Sequence, residues 1–340
     1  MFYIRADGNA KVGMGHIMRC LSIAEAALEL GSRPVFISAD NDGRTIINGR
    51  GFECTVLDTD YTDMESELGK LARILNREDI ILVDSYCVTE SYLRSLGEMC
   101  KTAYLEDMGK PYPVNLLINY NIYAPTLASE YQKPPKPDKV LLGAEYMPLR
   151  DIYRYGIDYE VRDKVSDVMI TTGGSDPHFA AGAILDEIFN NQLLGDGITY
   201  HMVSGPFNSF ADRLKEKCGG YKNVILYEGL SSLKDLMKKC DTVITATGST
   251  IYEACAVGVP MVCFYFAENQ RQGAQALSRL TEIRNAGCIS EDRAAVAQNI
   301  ADALSRCVSD FSYRQRLYIQ EKKLIDGQGA VRLAQNILAL

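Results

Sequence analysis

The chain reads as an α/β protein built from two doubly wound, mostly parallel sheets in series. Three observations carry this. Strand-like and helix-like patterns alternate along nearly all of the chain. The rhythm breaks once, at the polar, proline-bearing stretch 125–138 (PTLASEYQKPPKPD), and then restarts. And 340 residues exceed one ordinary core, which favours two domains of about 150 residues each. In the first half, apolar runs at 2–6, 34–38, 53–57, 80–84, 102–105 and 114–118 predict strands, with helical spacing at 14–30, 63–76 and 89–100. In the second half, strands are expected at 167–172, 198–203, 223–227, 242–246 and 260–266. Helices are expected near 177–190, 208–218, 230–240, 249–257 and 269–280. The charged and aromatic segment 143–163 is expected to contain the crossing, which gives domains 1–150 and 151–340. Ligands of such sheets sit beyond the carboxyl ends of the strands, so two facing domains would share one cleft.

Composition narrows the function. The apolar fraction of 47% suffices for two cores, and no segment approaches the roughly 20 apolar residues of a membrane span. A strand at Phe2 in place of a charged-then-apolar leader points to a cytoplasmic protein. A formal charge of −8 argues against nucleic acid as a partner and leaves anionic ligands to local dipoles and a few placed cations. The ten cysteines are scattered, with no CxxC pair and no clustering with histidine, which fits a reducing compartment and supplies no zinc site. Cys20, Cys54, Cys240, Cys255 and Cys263 lie in apolar runs and read as small core residues.

The richest stretch is IRADGNAKVGMGHIMRCLSIAEAAL, residues 4–28. An apolar strand enters a loop in which Gly13 and Gly15 allow close backbone approach to a ligand. His16, one of three histidines, follows them. Ile17, Leu21, Ala24 and Leu28 then mark the buried face of a helix. At a helix N-terminus the dipole favours the neutral imidazole, the form that takes a proton. Arg19 lies one turn further along. Arg5 and Asp7 open this motif as a pair that fixes the loop.

The second half carries matching turns. In DVMITTGGSDPHF, residues 167–179, a strand meets Gly173 and Gly174, which admit an anion to the backbone, and Pro177 suits a first helical turn. At 242–253 a strand ends in Ala-Thr-Gly-Ser-Thr, and Gly248, Ser249 and Thr250 offer free N–H groups and hydroxyls to a diphosphate. Glu253, one turn into an otherwise apolar helix, suits the two hydroxyls of a ribose.

In order along the chain, GxGH with the following RCLxxA, VDSY at 83–86, TTGGSDP at 171–177, the GST…YE…AxGxP run at 248–260, ENQ at 268–270 and DGQGAVR at 326–332 form a recognisable series. Together they resemble the UDP-2,4-diacetamido-2,4,6-trideoxy-β-L-altropyranose hydrolases of pseudaminic acid biosynthesis, similar in turn to the GT-B glycosyltransferases that make peptidoglycan lipid intermediates. The resemblance runs from about residue 2 to about 333. GxGH and GST…E are shared by the wider GT-B group, whereas VDSY and the DGxGAxR tail point to the hydrolases. It implies a GT-B architecture of two Rossmann-like domains, a UDP-sugar substrate held mainly by the second domain, and no metal or other cofactor.

Carried over, His16 matches the catalytic histidine that deprotonates a water attacking the anomeric carbon, Tyr86 the tyrosine facing sugar and water, and Asn269 a residue positioning the sugar, with Gln270 beside it. Gly13, Gly15, Arg19, Gly173, Gly174, Gly248, Ser249, Thr250 and Glu253 complete the expected substrate contacts. The chain departs from the family pattern at Gly8-Asn9, at LEDMG (105–109) and at NYN (119–121), all near the expected sugar position, which leaves the sugar open. A GT-B glycosyltransferase using a UDP-amino-sugar donor is the alternative, and a catalytically idle sugar-nucleotide sensor a third reading. No apolar or basic cluster in the first-domain loops suggests a lipid acceptor. Oligomeric state stays open, with a monomer favoured.

Overall fold

The computed structural model describes all residues except 10, 192, 193, 195 and 196. It divides into two compact units, Met1–Asp151 with Gly327–Leu340, and Ile152–Asp326. The chain therefore leaves the first unit after Asp151 and returns to it at Gly327. The terminal segment, expected above in the second domain, belongs to the first. The physical reason is its last helix, which buries Ala330, Leu333, Ala334 and Ile337.

In the first unit, β1 (Phe2–Ala6), β2 (Val35–Ser38), β3 (Glu53–Val56), β4 (Ile80–Asp84), β5 (Lys101–Leu105), β6 (Leu116–Asn119) and β7 (Lys139–Leu142) make one sheet in the order β3-β2-β1-β4-β5-β6-β7. Every pairing is parallel. A parallel sheet is covered on both faces, so its inner strands must be apolar on both sides. Accordingly β1 and β6 are buried at every residue, while edge strand β3 alternates between exposed and half-buried. Helices α1 (Gly15–Glu29), α2 (Arg44–Gly49), α3 (Leu68–Leu71) and α4 (Glu90–Met99) lie in the crossovers. One face of the sheet packs Tyr3, Ile37, Ile81 and Val83 with Tyr92, Leu93 and Leu96 of α4.

The second unit repeats the plan. Its strands β8 (Asp167–Thr171), β9 (Thr199–Ser204), β10 (Val224–Glu228), β11 (Thr242–Ala246), β12 (Met261–Tyr265) and β13 (Arg284–Cys288) pair in parallel in the order β10-β9-β8-β11-β12-β13. Its helices are α5 (Ala180–Asn190), α6 (Ala211–Gly219), α7 (Lys234–Lys239), α8 (Thr250–Val257), α9 (Glu268–Leu280), α10 (Arg293–Ser309) and α11 (Phe311–Leu324); α12 (Gly329–Leu338) packs on α1 of the first unit. Strand order reverses between β1 and β4 in one sheet and between β8 and β11 in the other. At such a switch point the flanking crossovers diverge to opposite faces and leave a crevice at the carboxyl ends of the strands. Both motif clusters of the sequence emerge at these two points.

Candidate active site

At the switch point of the first unit, His16 enters from the start of α1 and Asp84 from the last residue of β4. His16 is 6% exposed and Asp84 1%. His16 Nδ1 lies 2.6 Å from Asp84 Oδ1. Arg19, one turn along α1, donates from Nε to Asp84 Oδ2 at 2.6 Å and from Nη2 to Oδ1 at 2.5 Å. The Cys20 thiol donates to Oδ2 at 3.4 Å. Burial pushes the Asp84 carboxyl up, but the Arg19 guanidinium and the hydrogen bonds from Arg19 and His16 outweigh it and hold the group well below the usual carboxylate range. An ionised carboxylate only accepts, so the 2.6 Å contact assigns the imidazole proton to Nδ1. Arg19 Nη2 donates one of its two protons to Asp84 Oδ1 and lies 3.0 Å from the same imidazole nitrogen. In the neutral imidazole this arrangement puts the lone pair on Nε2.

Tyr86, two residues past β4, stands edge-on to His16 with ring centroids 4.6 Å apart at 71°. It is 60% exposed. Its hydroxyl donates to Asp107 Oδ2 at 3.2 Å. Arg19 Nη1 donates to the same oxygen at 3.1 Å and also to the Tyr120 hydroxyl. Partial burial first, and then the Asp107 charge, raise the Tyr86 phenol above its ordinary value. The structure thus brings His16, Arg19 and Tyr86 together and joins them through Asp84 and Asp107, which the sequence reading did not single out. Asp84 had a legible signal, an acid ending an apolar strand at the next crossover. Asp107 lay in the LEDMG stretch noted above, but no local pattern gave it a role, because its partners come from α1, the β4 turn and the turn after β6.

Gly13 and Gly15 flank the entry to α1. Gly13 has φ of +74° and its N–H donates to the Asn9 carbonyl at 2.8 Å, while Asn9 Oδ1 accepts from the N–H of Lys11 and of Val12. The loop is folded on itself by Asn9. Arg5 and Asp7 hold a structural place: Arg5 is fully buried between Glu67 and Asp7, and Asp7 also accepts from the Ala39 N–H at 2.8 Å.

In the second unit, Gly173, Gly174 and Thr250 line a cavity of about 320 Å³ together with Ser204, Gly205 and Leu230. Gly173 has φ of +85°, which a side chain disfavours. A Cβ on Gly205 would come within 2.1 Å of the Gly173 carbonyl oxygen, so the turns after β8 and β9 lie backbone to backbone. Gly248 and Ser249 stand at the start of α8, where Ser249 makes no side-chain cap. The Tyr252 N–H already turns back to the Ser249 carbonyl at 3.1 Å and the Gly248 N–H to the Ala246 carbonyl at 2.9 Å, so what this helix start offers an anion is its dipole with the N–H groups and hydroxyls of Ser249 and Thr250. Glu253 is half-buried one turn further. Asn269 is exposed in the first turn of α9, and it does not line this cavity. Gln270 is already engaged, its Oε1 accepting from the Phe266 N–H at 2.9 Å. A larger concavity of about 810 Å³, between α9, β13 and α10, is lined by none of the expected site residues.

Among the described residues, no cluster of three or more His, Cys, Asp or Glu side chains is placed to hold a metal ion. No helix among them is long and apolar enough to cross a membrane.

No protein-family model matches the chain. It is 24% identical over 79% of its length to an uncharacterized protein of Methanocaldococcus jannaschii, and spans 56% of that protein. It is 22% identical to the spore coat polysaccharide biosynthesis protein SpsG of Bacillus subtilis, covering 97% of this chain and 95% of SpsG. It is also 22% identical to the UDP-2,4-diacetamido-2,4,6-trideoxy-β-L-altropyranose hydrolase of Campylobacter jejuni, covering 81% of this chain and 95% of the hydrolase. Among solved structures, Acinetobacter baumannii MurG superposes with a TM-score of 0.70 at 10% identity, over 100% of this chain and 99% of MurG. UDP-GlcNAc 2-epimerase from Neisseria meningitidis, bound to UDP-GlcNAc, gives 0.67 at 12% identity over both whole chains. By fold this chain is a GT-B protein of two parallel-sheet α/β domains, and by sequence it is a distant relative of the hydrolase group to which its motifs pointed.

Proposed function

We propose that this chain hydrolyses a UDP-linked 2,4-diacetamido-2,4,6-trideoxyhexose to the free sugar and UDP, as a step in making a nonulosonic acid or related surface polysaccharide. The observation that carries this reading is the 2.6 Å contact of His16 Nδ1 with a buried, ionised Asp84, which leaves Nε2 as a base. Nε2 takes a proton from water as the water oxygen bonds to the anomeric carbon. The bond from that carbon to the β-phosphate oxygen breaks, and its electron pair leaves with UDP. Asp84 then faces an imidazolium, whose charge it stabilises; a positioned base of this kind contributes about 10²–10⁴-fold. Tyr86, edge-on to His16 and open to solvent, faces the sugar and the water. The turns of the second unit hold the nucleotide: Gly173, Gly174 and Thr250 in the cavity, and Gly248 and Ser249 at the start of α8, where the dipole stabilises the departing charge. Glu253 takes the ribose, and Asn269 with Gln270 the sugar.

The test is turnover of a UDP-2,4-diacetamido-trideoxyhexose in ¹⁸O-labelled water without added acceptor, followed by NMR. The expected result is free sugar labelled at its anomeric oxygen, unlabelled UDP, no loss of rate after dialysis against a chelator, and a rate about 10²–10⁴-fold lower in His16→Ala with UDP binding retained. Substrate that binds and stays intact would replace hydrolysis by transfer to another acceptor. A His16→Ala rate equal to wild type would remove the base.

A further inference from the structure

The stretch 125–138 interrupts the α/β rhythm, and LEDMG at 105–109 departs from the family pattern. The structure joins the two. Tyr131, in the short 3₁₀ turn Glu130–Gln132, is fully buried. Its hydroxyl donates to Glu106 Oε2 at 2.5 Å and accepts from Asn119 Nδ2 at 2.8 Å. Two arms leave this phenol, one to the turn that carries Asp107 and one to the Asp107 carboxylate itself. Along the first, the buried Glu106 carboxylate accepts from the N–H groups of Met108 (2.5 Å), Gly109 (2.9 Å) and Lys110 (3.2 Å). The turn that carries Asp107 is thereby wrapped around one carboxylate. Along the second, Asn119 Oδ1 accepts from Asn121 Nδ2 at 2.9 Å, and that nitrogen also donates to Asp107 Oδ1 at 3.0 Å. The other oxygen of Asp107, Oδ2, is the one that receives Arg19 and Tyr86.

We propose that Tyr131 is a positioning residue for the His16 cluster: its phenol, bonded to Glu106 and Asn119, fixes Asp107, and Asp107 sets Tyr86 and Arg19 against His16. The catalytic meaning of this placement rests on the hydrolase reading above; the placement itself does not. A buried polar network is rigid when every member is satisfied, and loses that rigidity when one partner goes. Removing a single hydroxyl, with the ring left in the core, therefore loosens the Asp107 turn without opening a cavity. Reacting groups misplaced by about 1 Å lose rates on the order of 10²-fold. A partial loosening reads as a smaller loss.

The test compares Tyr131→Phe, Asp107→Asn and the double variant by two readouts. The first is the titration of the Tyr86 phenol, followed by ¹³C NMR of ring-labelled tyrosine. Asp107 raises that titration, so Asp107→Asn moves it to lower pH, and Tyr131→Phe moves it the same way by less. The second is turnover of the UDP-sugar. Tyr131→Phe lowers kcat roughly 5–20-fold with KM within about twofold, and adds nothing in the Asp107→Asn background, because residues acting through one group are not additive. A Tyr86 titration unmoved by Tyr131→Phe, or rate losses that multiply in the double variant, overturns the proposal and leaves Tyr131 a packing residue. If the wild-type protein fails to hydrolyse the UDP-sugar, the functional reading falls, and the titration still decides this one. Should Tyr131→Phe not fold, Tyr131→Leu also removes the hydroxyl while leaving Glu106 and its three N–H bonds in place, and is read in the same way.

Discussion

Asp84 is the residue on which the first-unit site turns. It receives His16 Nδ1, two nitrogens of Arg19 and the Cys20 thiol, and with 1% of its surface exposed it has no water to take their place. Its depressed pKa has a direct consequence for pH. A carboxyl whose folded pKa lies below its unfolded value stabilises the fold above the unfolded range and loses that contribution only as pH falls through the folded value. Through neutral and mildly acidic pH, Asp84 thus stays ionised and the imidazole keeps its orientation. Asp84→Asn preserves the shape and removes the charge. Its amide N–H₂ would face either Arg19, where donors meet, or His16 Nδ1, where it would select the tautomer with the proton on Nε2. The expected outcome is a kcat lower by about 10³–10⁴-fold, the loss typical when the orienting carboxylate of a base becomes an amide. UDP affinity by calorimetry stays within about twofold of wild type, since the proposed nucleotide turns belong to the other unit. A loss of UDP binding equal to the loss of rate would contradict this division of labour.

At the scale of elements, the turns after β8 and β9 show how closely the proposed nucleotide site is built. Gly205→Ala puts a methyl 2.1 Å from the Gly173 oxygen and 2.5 Å from the Gly174 oxygen, so one turn must move. The Phe207 N–H, which donates to the Gly174 carbonyl at 2.9 Å, ties the two turns together and spreads the shift. UDP binding should weaken about tenfold, equivalent to ~1.4 kcal/mol, with kcat at saturating substrate little changed; unaltered UDP affinity would remove these turns from the site. On α11, Glu321 is fully buried, with Oε1 accepting from the Met261 N–H at 3.2 Å, and burial holds its pKa well above the ordinary carboxyl value. The folded state therefore binds a proton that the unfolded state releases above about pH 4.5, and stability falls as pH rises from there toward the folded value. Glu321→Gln should remove that slope, raising Tm at pH 8 by roughly 2–4 °C, the effect of about 1 kcal/mol in a unit of this size, and changing it less at pH 5. An equal change at both pH values would mean that Glu321 does not titrate in this window. The strands that composition made legible are inner, continuously apolar ones such as β12 (MVCFY), because a parallel sheet covered on both faces admits little else. The edge strands β7 (KVLL) and β13 (RNAGC) escaped the reading, since an edge tolerates lysine, arginine and glycine and a run of four or five residues sets no period. The helix expected over 63–76 is shorter for a related reason: it is a 3₁₀ turn, Met64–Glu67, continued by Leu68–Leu71, and Glu67 is turned inward to the buried Arg5.

At the scale of the whole molecule, the fold class could be read from the alternation of strands and helices, and His16 and Arg19 stood out in the loop-to-helix pattern of residues 4–28, whereas Tyr86 entered only with the family resemblance. The return of the chain could not be read. DGQGAVR at 326–332 is visible as a motif, but its partners lie far back along the chain, Glu145 being 187 residues before Arg332 and α1 further still, and no local period records that. The return has a physical purpose that can be measured. α12 packs against α1, the helix that carries His16 and Arg19, and buries Leu333 and Ile337 completely. At its start a Cβ on Gly329 would lie 2.2 Å from the Met147 carbonyl oxygen, so the entry to α12 runs directly against the end of the first-unit chain. Lys139 Nζ donates to Asn336 Oδ1 at 2.7 Å, and Arg332 Nη1 to the Glu145 carbonyl at 2.9 Å, which bind α12 to the segment from β7 onward. A chain ending at Asp326 would expose the α1 face that α12 covers. Each fully buried Leu or Ile is worth about 1.5–3 kcal/mol, so removing two of them takes a large share of the stability of a domain, about 5–15 kcal/mol. The second unit loses none of its own strands or helices by this cut. Calorimetry of the shortened chain should show the first unit melting well below its full-length value while UDP still raises the melting temperature of the second, and turnover should be lost. Thermal scans and UDP titrations of full-length and shortened protein decide it: a single cooperative loss of both units would mean that the returning helix supports the whole chain, whereas full turnover would mean that α1 holds His16 in place without it.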